Sequence, residues 1–220
     1  MFLKVSYGVG GGSNLLKEAL NFKKAILVTG TPGVGKTEFS KLLAKRLGAV
    51  HLDVGKVALK EGFAKAFDQK RETWVVDLEG LREWIEAFLK RASSLVVVDG
   101  HYSLSLAPKN QVKKIFVLRC DPLVLRERLR LRGDSEEKIL ENVAAELLDA
   151  CLLDALKEYG GSPEKICELE ATSKGTSRLV EEALESLNSR EGRFGRVDWI
   201  GKLSKEGKLN ELLSSLSRGG

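Results

Sequence analysis

Gly30-Thr31-Pro32-Gly33-Val34-Gly35-Lys36-Thr37 follows the apolar run Ala25-Ile26-Leu27-Val28 with only Thr29 between. These eight residues fit the spacing G-x-x-x-x-G-K-[ST] of a phosphate-binding loop. Glycines at these places let the main chain curl until successive N–H groups, from Gly30 through Gly33, Val34 and Gly35 to Lys36 and Thr37, face one concavity that suits a phosphate. The Lys36 ammonium can reach the outer phosphate oxygens, and the Thr37 hydroxyl is a ligand type for Mg²⁺. Such a loop needs a strand before it and a helix after it. Lys24 to Thr29 is short, apolar and β-branched, while Phe39, Leu42, Leu43 and Leu47 recur at helical spacing. The helix start adds its positive dipole end to the same anion site.

Working outward from the loop, strand and helix patterns alternate. The spacing predicts a strand at 24–29, a helix at 36–47, a strand at 50–53 and helical pieces to about Arg91. Strands follow at 95–98 and 114–118, then helices at 122–132 and 135–159, a strand at 165–169 and a helix near 177–188. Alternation of this kind predicts an α/β domain over residues 23–188, with a five-stranded parallel sheet covered by helices on both faces. Asp121-Pro122 supplies a capping carboxylate and a proline at the first helical position. Asp134, Glu136 and Glu137 put negative charge at the start of the next helix, where the macrodipole favours it. The stripe Ile139, Leu140, Val143, Leu147, Leu148, Cys151, Leu152, Ala155 and Leu156 reads as core. Residues 1–22, with Gly8-Val9-Gly10-Gly11-Gly12-Ser13, read as a flexible extension. The tail 189–220 carries Phe194 and Trp199 and a leucine pattern from Leu203 to Leu216, which suits a short helix that packs back on the domain or meets a partner.

A second element of the site is Leu95-Val96-Val97-Val98-Asp99, four apolar residues ending in a carboxylate. Beside the loop strand, such an acid faces Mg²⁺ or its water shell, so Thr37 and Asp99 are the candidate metal ligands. His101 follows two residues later and is either structural or able to orient Asp99 or a water. Arg119, Arg126, Arg128, Arg130 and Arg132 gather across one strand end and the next helix. Phosphoryl transfer asks for such charge compensation in place of a covalent nucleophile. On the helix, 128 and 132 share one face, as do 126 and 130.

Composition narrows the rest. A chain of 220 residues with net charge +5 allows one compact domain with short extensions, and its positive balance suits anionic ligands. Cys120, Cys151 and Cys167 share no metal-like spacing and read as buried free thiols of a reducing compartment. No apolar run reaches membrane-spanning length and the N-terminus lacks a secretory pattern, so a cytoplasmic protein that binds no membrane is expected.

The combination GTPGVGKT, VDGH and IFVLRCDPLVLRERLRLRGDSEEKILENVAAELLDA resembles the atypical adenylate kinases tied to ribosome biogenesis, found in archaea and the eukaryotic nucleus. The likeness spans about residues 24–188. It implies a nucleoside-monophosphate kinase fold of the P-loop NTPase class, with residues 53–76 as the monophosphate-binding segment and about 131–141 as a small lid. It further implies that Gly33, Gly35, Lys36, Thr37 and Glu38 hold the ATP phosphates, with Arg128 and the lid arginine Arg132 on the same nucleotide. Lys36, Asp99, His101 and Arg132 are then the catalytic set, and Mg²⁺ is the cofactor. Glu38 stands where the family has a second Thr or Ser, Asp134 where it has a tyrosine, Lys56 where it has an aspartate and Leu59 where it has an arginine.

The activity this implies is transfer of the γ-phosphoryl of ATP to AMP or a related monophosphate, with weak ATP hydrolysis beside it. Another small-molecule P-loop kinase shares the loop and the lid. A GTPase would need N-K-x-D after the core strands, and Lys109-Asn110 has the wrong order. The resemblance also implies an ATPase assembly factor in small-subunit maturation and rRNA processing, with a small-subunit ribosomal protein or rRNA as partner.

Overall fold

The computed structural model describes residues 24–68 and 73–217. The glycine-rich segment expected as a flexible extension therefore lies outside the described residues. In chain order the elements are β1 (Ala25–Gly30), α1 (Lys36–Leu47), β2 (Val50–Asp53), α2 (Val54–Lys60), β3 (Ala64–Asp68), β4 (Thr73–Val76) and α3 (Leu78–Arg91). There follow β5 (Val96–Asp99), α4 (Ser103–Leu106), β6 (Val112–Arg119), α5 (Pro122–Arg132), α6 (Glu136–Leu147), α7 (Ala150–Tyr159), β7 (Ile166–Glu170), α8 (Thr176–Ser186), α9 (Trp199–Lys205) and α10 (Leu209–Ser217).

Five strands form one parallel sheet in the order β2-β5-β1-β6-β7, so the loop strand sits at its centre. Both faces are buried, which is why these strands read as continuous apolar runs and not as alternating ones. Ile26, Val28, Val97, Phe116 and Leu118 point into one core with Phe39, Leu43, Leu129 and Val143. Ala25, Leu27, Val96, Val98, Ile115 and Val117 point into the other with Leu81, Ile85, Leu89 and Ala155. Each fully buried Leu or Phe of these layers contributes about 1.5–3 kcal/mol.

Two expectations needed correction. The long helix over 135–159 is two helices that serve opposite faces of the sheet. Ile139, Val143 and Leu147 pack in the first core, while Cys151, Leu152 and Ala155 pack in the second. A straight helix cannot reach both faces, so the chain turns between Leu147 and Ala150. There Asp149 takes φ 58, a left-handed conformation that Asp tolerates better than most residues, and its carboxylate pairs with Arg119. The helical reading of residues 54–91 also missed a ribbon. Between α2 and α3 lies the antiparallel hairpin β3–β4, where Phe67 and Trp74 face each other edge to face with ring centroids 5.3 Å apart.

The tail packs back on the domain as two short helices. Trp199, Leu203 and Leu212 enter the first core, and α9 is tethered by the Lys202–Asp121 ion pair. Asp121 also caps α5 by accepting the Leu123 N–H at 2.8 Å, as its place before Pro122 predicts. The three cysteines are free and buried. No described helix is long and apolar enough to cross a membrane.

Candidate functional site

The turn from β1 into α1 is built so that its main chain, not its side chains, faces outward. Gly30 has φ 143 and runs so close to β6 that a Cβ there would lie 2.5 Å from the Leu118 carbonyl oxygen. Val34 sends its side chain into the core beside Leu118. Gly35, at φ 100, occupies the N-cap of α1 without any side-chain cap, and a Cβ on it would meet nothing within 4 Å. The first-turn N–H groups of a twelve-residue helix thus open onto free space, with no capping side chain over them.

Lys36 is half-buried and folds back on its own loop. Its Nζ donates to the carbonyls of Gly30 at 2.8 Å and Thr31 at 3.0 Å. Burial lowers its pKa, an effect that Asp99 and other neighbouring groups partly oppose. It is therefore a poorly hydrated cation whose present partners are only carbonyl dipoles, a state that favours an arriving anion. Thr37 is half-buried and Glu38 exposed on the same turn.

Asp99 ends β5 in register with Val28 on one side and Asp53 on the other, and is 3% exposed. The histidine against it is His51 of β2, whose Nε2 lies 3.3 Å from Asp99 Oδ2. His101 does not hold that place. It lies exposed, edge-on to Tyr102, and partial desolvation, then the Lys36 charge, lower its pKa, which favours the neutral imidazole. His51 escaped the sequence reading. The available signal was a polar residue two positions before Asp53 in a strand neighbouring the acid strand.

The arginine cluster divides by role. Arg119, expected beside the others, is 1% exposed and bound to three carboxylates, those of Glu146, Glu168 and Asp149; it belongs to the interior. Arg126 and Arg130 pair with Glu136 at the surface. Arg128 donates to the carbonyls of Ala171 and Thr172 after β7. Arg132 pairs with Asp134 at the end of α5, close enough for its charge to act on Lys36. Arg128 thus turns toward the segment after β7, Arg132 toward Asp134, and Arg126 and Arg130 toward Glu136 of α6.

From Lys36, Thr37 and Asp99 a cavity of about 430 Å³ extends beneath α2 and the hairpin. Its far wall is apolar, with Val54, Ala58, Leu59, Val76 and Leu81, and Trp74 and Tyr102 stand at its edge, 45% and 44% exposed. Lys56 also lines it, beside Asp53, which caps α2 by accepting the Lys56 N–H at 3.1 Å. Neither aromatic was singled out from the sequence. A larger cleft of about 540 Å³ lies against the tail, and no residue of the loop lines it.

Residues 26–149 match the family model described as an AAA domain. The chain is 36% identical over 177 residues to a Methanocaldococcus jannaschii protein named "Putative adenylate kinase", covering 80% of this chain and 93% of that one. A Pyrococcus abyssi protein of the same name is 42% identical over 175 residues, covering 79% and 90%. Among solved structures, a gluconokinase from Sinorhizobium meliloti 1021 superposes with a TM-score of 0.50 at 18% identity, over 76% of this chain and 93% of that one. That likeness shows the fold alone.

Proposed function

Because the chain belongs to the adenylate kinase-like family of P-loop nucleoside-monophosphate kinases, we propose that it transfers the γ-phosphoryl of ATP to AMP and yields two ADP. The observation that carries this reading is the continuity of one cavity. It begins at Lys36, Thr37 and Asp99 and runs without interruption to an apolar wall edged by Trp74. A donor phosphate on the loop would face an acceptor seated in the same space.

The amides of residues 33–38 and the α1 terminus would take the β- and γ-phosphates, and Lys36 would exchange its two carbonyl partners for phosphate oxygens. Thr37 and Asp99, which line the same cavity, are oxygen donors of the kind Mg²⁺ takes and would hold it, and the ion would there supply neutralisation of phosphate charge. Residues 131–141 would act as the lid, with Arg132 leaving Asp134 to meet the nucleotide and Arg128 holding the segment after β7, at Ala171 and Thr172, beside it. In the transfer itself, an acceptor phosphate oxygen bonds to the γ-phosphorus in line as the bond to the β–γ bridging oxygen breaks, and that oxygen departs on ADP. The acceptor dianion needs no general base, so the work of the protein is alignment and charge compensation by Lys36 and Arg132. Residues 53–76 would hold the acceptor, its base against Trp74.

The test is ADP formation from ATP·Mg across AMP, dAMP, CMP and small hydroxyl or carboxyl acceptors. AMP should give the highest kcat/KM, with slow ATP hydrolysis when no acceptor is supplied. If no monophosphate accelerates ATP consumption, the kinase reading is lost.

A second reading is an ATPase that assists ribosomal small-subunit assembly, for which the tail-side cleft offers, among the acidic groups Glu168, Glu170, Glu182 and Asp198, the cations Lys174, Arg193, Arg196, Lys202 and Lys205. Binding of rRNA through these residues should weaken steeply as salt rises, whereas a ribosomal protein held by apolar contact should not release so readily.

A further inference from the structure

One buried carboxylate outside the phosphate site touches three parts of the molecule at once. Glu146, in the last turn of α6, is 1% exposed. Its Oε2 accepts the Thr31 hydroxyl of the phosphate loop at 2.6 Å. Its Oε1 accepts Arg119 Nε at 2.7 Å, the Cys120 N–H at 3.1 Å and the Trp199 indole N–H at 3.0 Å. With three donors on Oε1 and one on Oε2, neither oxygen is left without a partner. A charge so deeply placed persists only when a cation and a full set of donors hold it.

The link continues in both directions. The Thr31 carbonyl is one of the two oxygens that hold Lys36 Nζ. Trp199, 6% exposed, opens α9, and the segment before it is fixed where Glu168 Oε2 accepts the Arg196 and Val197 N–H groups at 3.0 and 3.3 Å. The Lys202–Asp121 pair holds the other side of α9. Hydrogen bonds therefore run unbroken from tail indole to Glu146, from Glu146 to Thr31, and from Thr31 to Lys36.

We propose that Trp199 and Glu146 are positioning residues of the phosphate loop, so that the C-terminal segment is a working part of the nucleotide site and not an appendage to it. The indole fixes which way the carboxylate points, the carboxylate fixes the Thr31 side chain, and Thr31 fixes the carbonyl on which Lys36 rests. The role is transmitted through a contiguous polar network, the kind of path along which a remote side chain can change affinity. The proposal rests on the nucleotide reading of the loop but not on the identity of the acceptor.

The experiment is ATP·Mg binding by calorimetry, with thermal unfolding in parallel, for the full-length chain and its variants Trp199→Phe, Thr31→Val, their combination, and Thr31→Ser. Trp199→Phe and Thr31→Val should each weaken ATP roughly 5- to 20-fold, at or below the lower end of what one hydrogen bond to a charged group is worth, because the loss reaches the loop indirectly. The double variant should be no weaker than the worse single one, since either change opens the same link. Thr31→Ser should restore binding. Should Trp199→Phe not fold, Lys202→Met loosens the same helix from its other side and should weaken ATP in the same direction. ATP affinity of Trp199→Phe within about twofold of wild type, effects that multiply in the double variant, or failure of Thr31→Ser to rescue would each overturn the proposal. A wild-type chain that binds no ATP·Mg overturns the nucleotide reading itself, and the positioning role with it.

Discussion

The two ends of the site cavity are built in opposite ways. At the loop end, Ala25 to Thr29 are essentially unexposed, and the loop is fixed from beneath by Leu118, by Val34 in the core and by Thr31 on Glu146. At the other end stand a seven-residue helix and a two-stranded ribbon, with Leu59, Phe67, Trp74 and Val75 each about half exposed. A lone hairpin is marginal by itself. The difference assigns tasks: charge compensation at phosphate needs groups that do not reorganise, while an acceptor must enter and leave past something that can move. If that division holds, substitutions at the two ends should separate cleanly into losses of turnover and losses of acceptor affinity.

The sharpest break comes at Lys36. Lys36→Met should lower kcat on the order of 10²–10³-fold, as removal of a preorganised charge donor does. The unfolding temperature should hardly change, because the ammonium contacts only two carbonyls of its own loop. His101 should then titrate at higher pH than in the wild type, since the Lys36 charge is one of the two causes that lower it. An NMR titration reads that shift independently of turnover. Next in size, Asp99→Asn removes one charge from the donor pair assigned to Mg²⁺. A loss of about 10- to 100-fold in Mg²⁺-dependent turnover is expected, and unchanged activity at limiting Mg²⁺ would remove Asp99 from that role.

At the acceptor end the expected effect is smaller and of another kind. Trp74→Ala should raise the KM for AMP roughly 5- to 100-fold, the scale of one base stacked on an aromatic ring. The KM for ATP should not change. An equal rise in both would mean that the hairpin shapes the whole cavity and that the two ends are not independent. Trp74→Phe should recover much of the loss, because the stacking surface matters more than the indole nitrogen.

The same contrast decides what could be seen in the sequence. The loop end was legible because each of its residues is chosen by local rules: glycines where φ is positive, a lysine and a threonine at fixed offsets, apolar runs for strands covered on both faces. Helix α1, the cap at Asp121 and the succession of the five strands along the chain follow from rules of the same short range, whereas their order β2-β5-β1-β6-β7 in the sheet does not. The acceptor end was not legible. Thr73-Trp74-Val75-Val76 is too short and too exposed to show a strand period, and its partner strand Ala64–Asp68 is little more apolar than a surface helix. The break at Asp149 was hidden for a third reason. An unbroken apolar stripe looks the same whether it faces one core or passes from one to another, and only the position of the sheet decides. Glu146 and Arg119 were invisible as a pair because they lie 27 residues apart and meet only through tertiary packing, and Asp149 joins them only because of that break.

His51 offers the finest probe of the division, since it belongs to the acid strand's neighbour and yet stands at the border between the two ends. Its Nε2 meets Asp99 Oδ2 at 3.3 Å, a long contact, with the ring 18% exposed. A bond of that kind contributes about 0.5–1.5 kcal/mol, so His51→Phe should cost roughly 2- to 12-fold in kcat/KM. The loss should appear as a higher Mg²⁺ requirement and not as a higher KM for AMP, because the contact orients the carboxylate and not the acceptor. His51→Gln, which keeps a side-chain donor, should lose less. If His51→Phe instead raised the AMP KM alone, the histidine would belong to the acceptor wall, and the line between the rigid and the adaptable halves would run between β2 and β5.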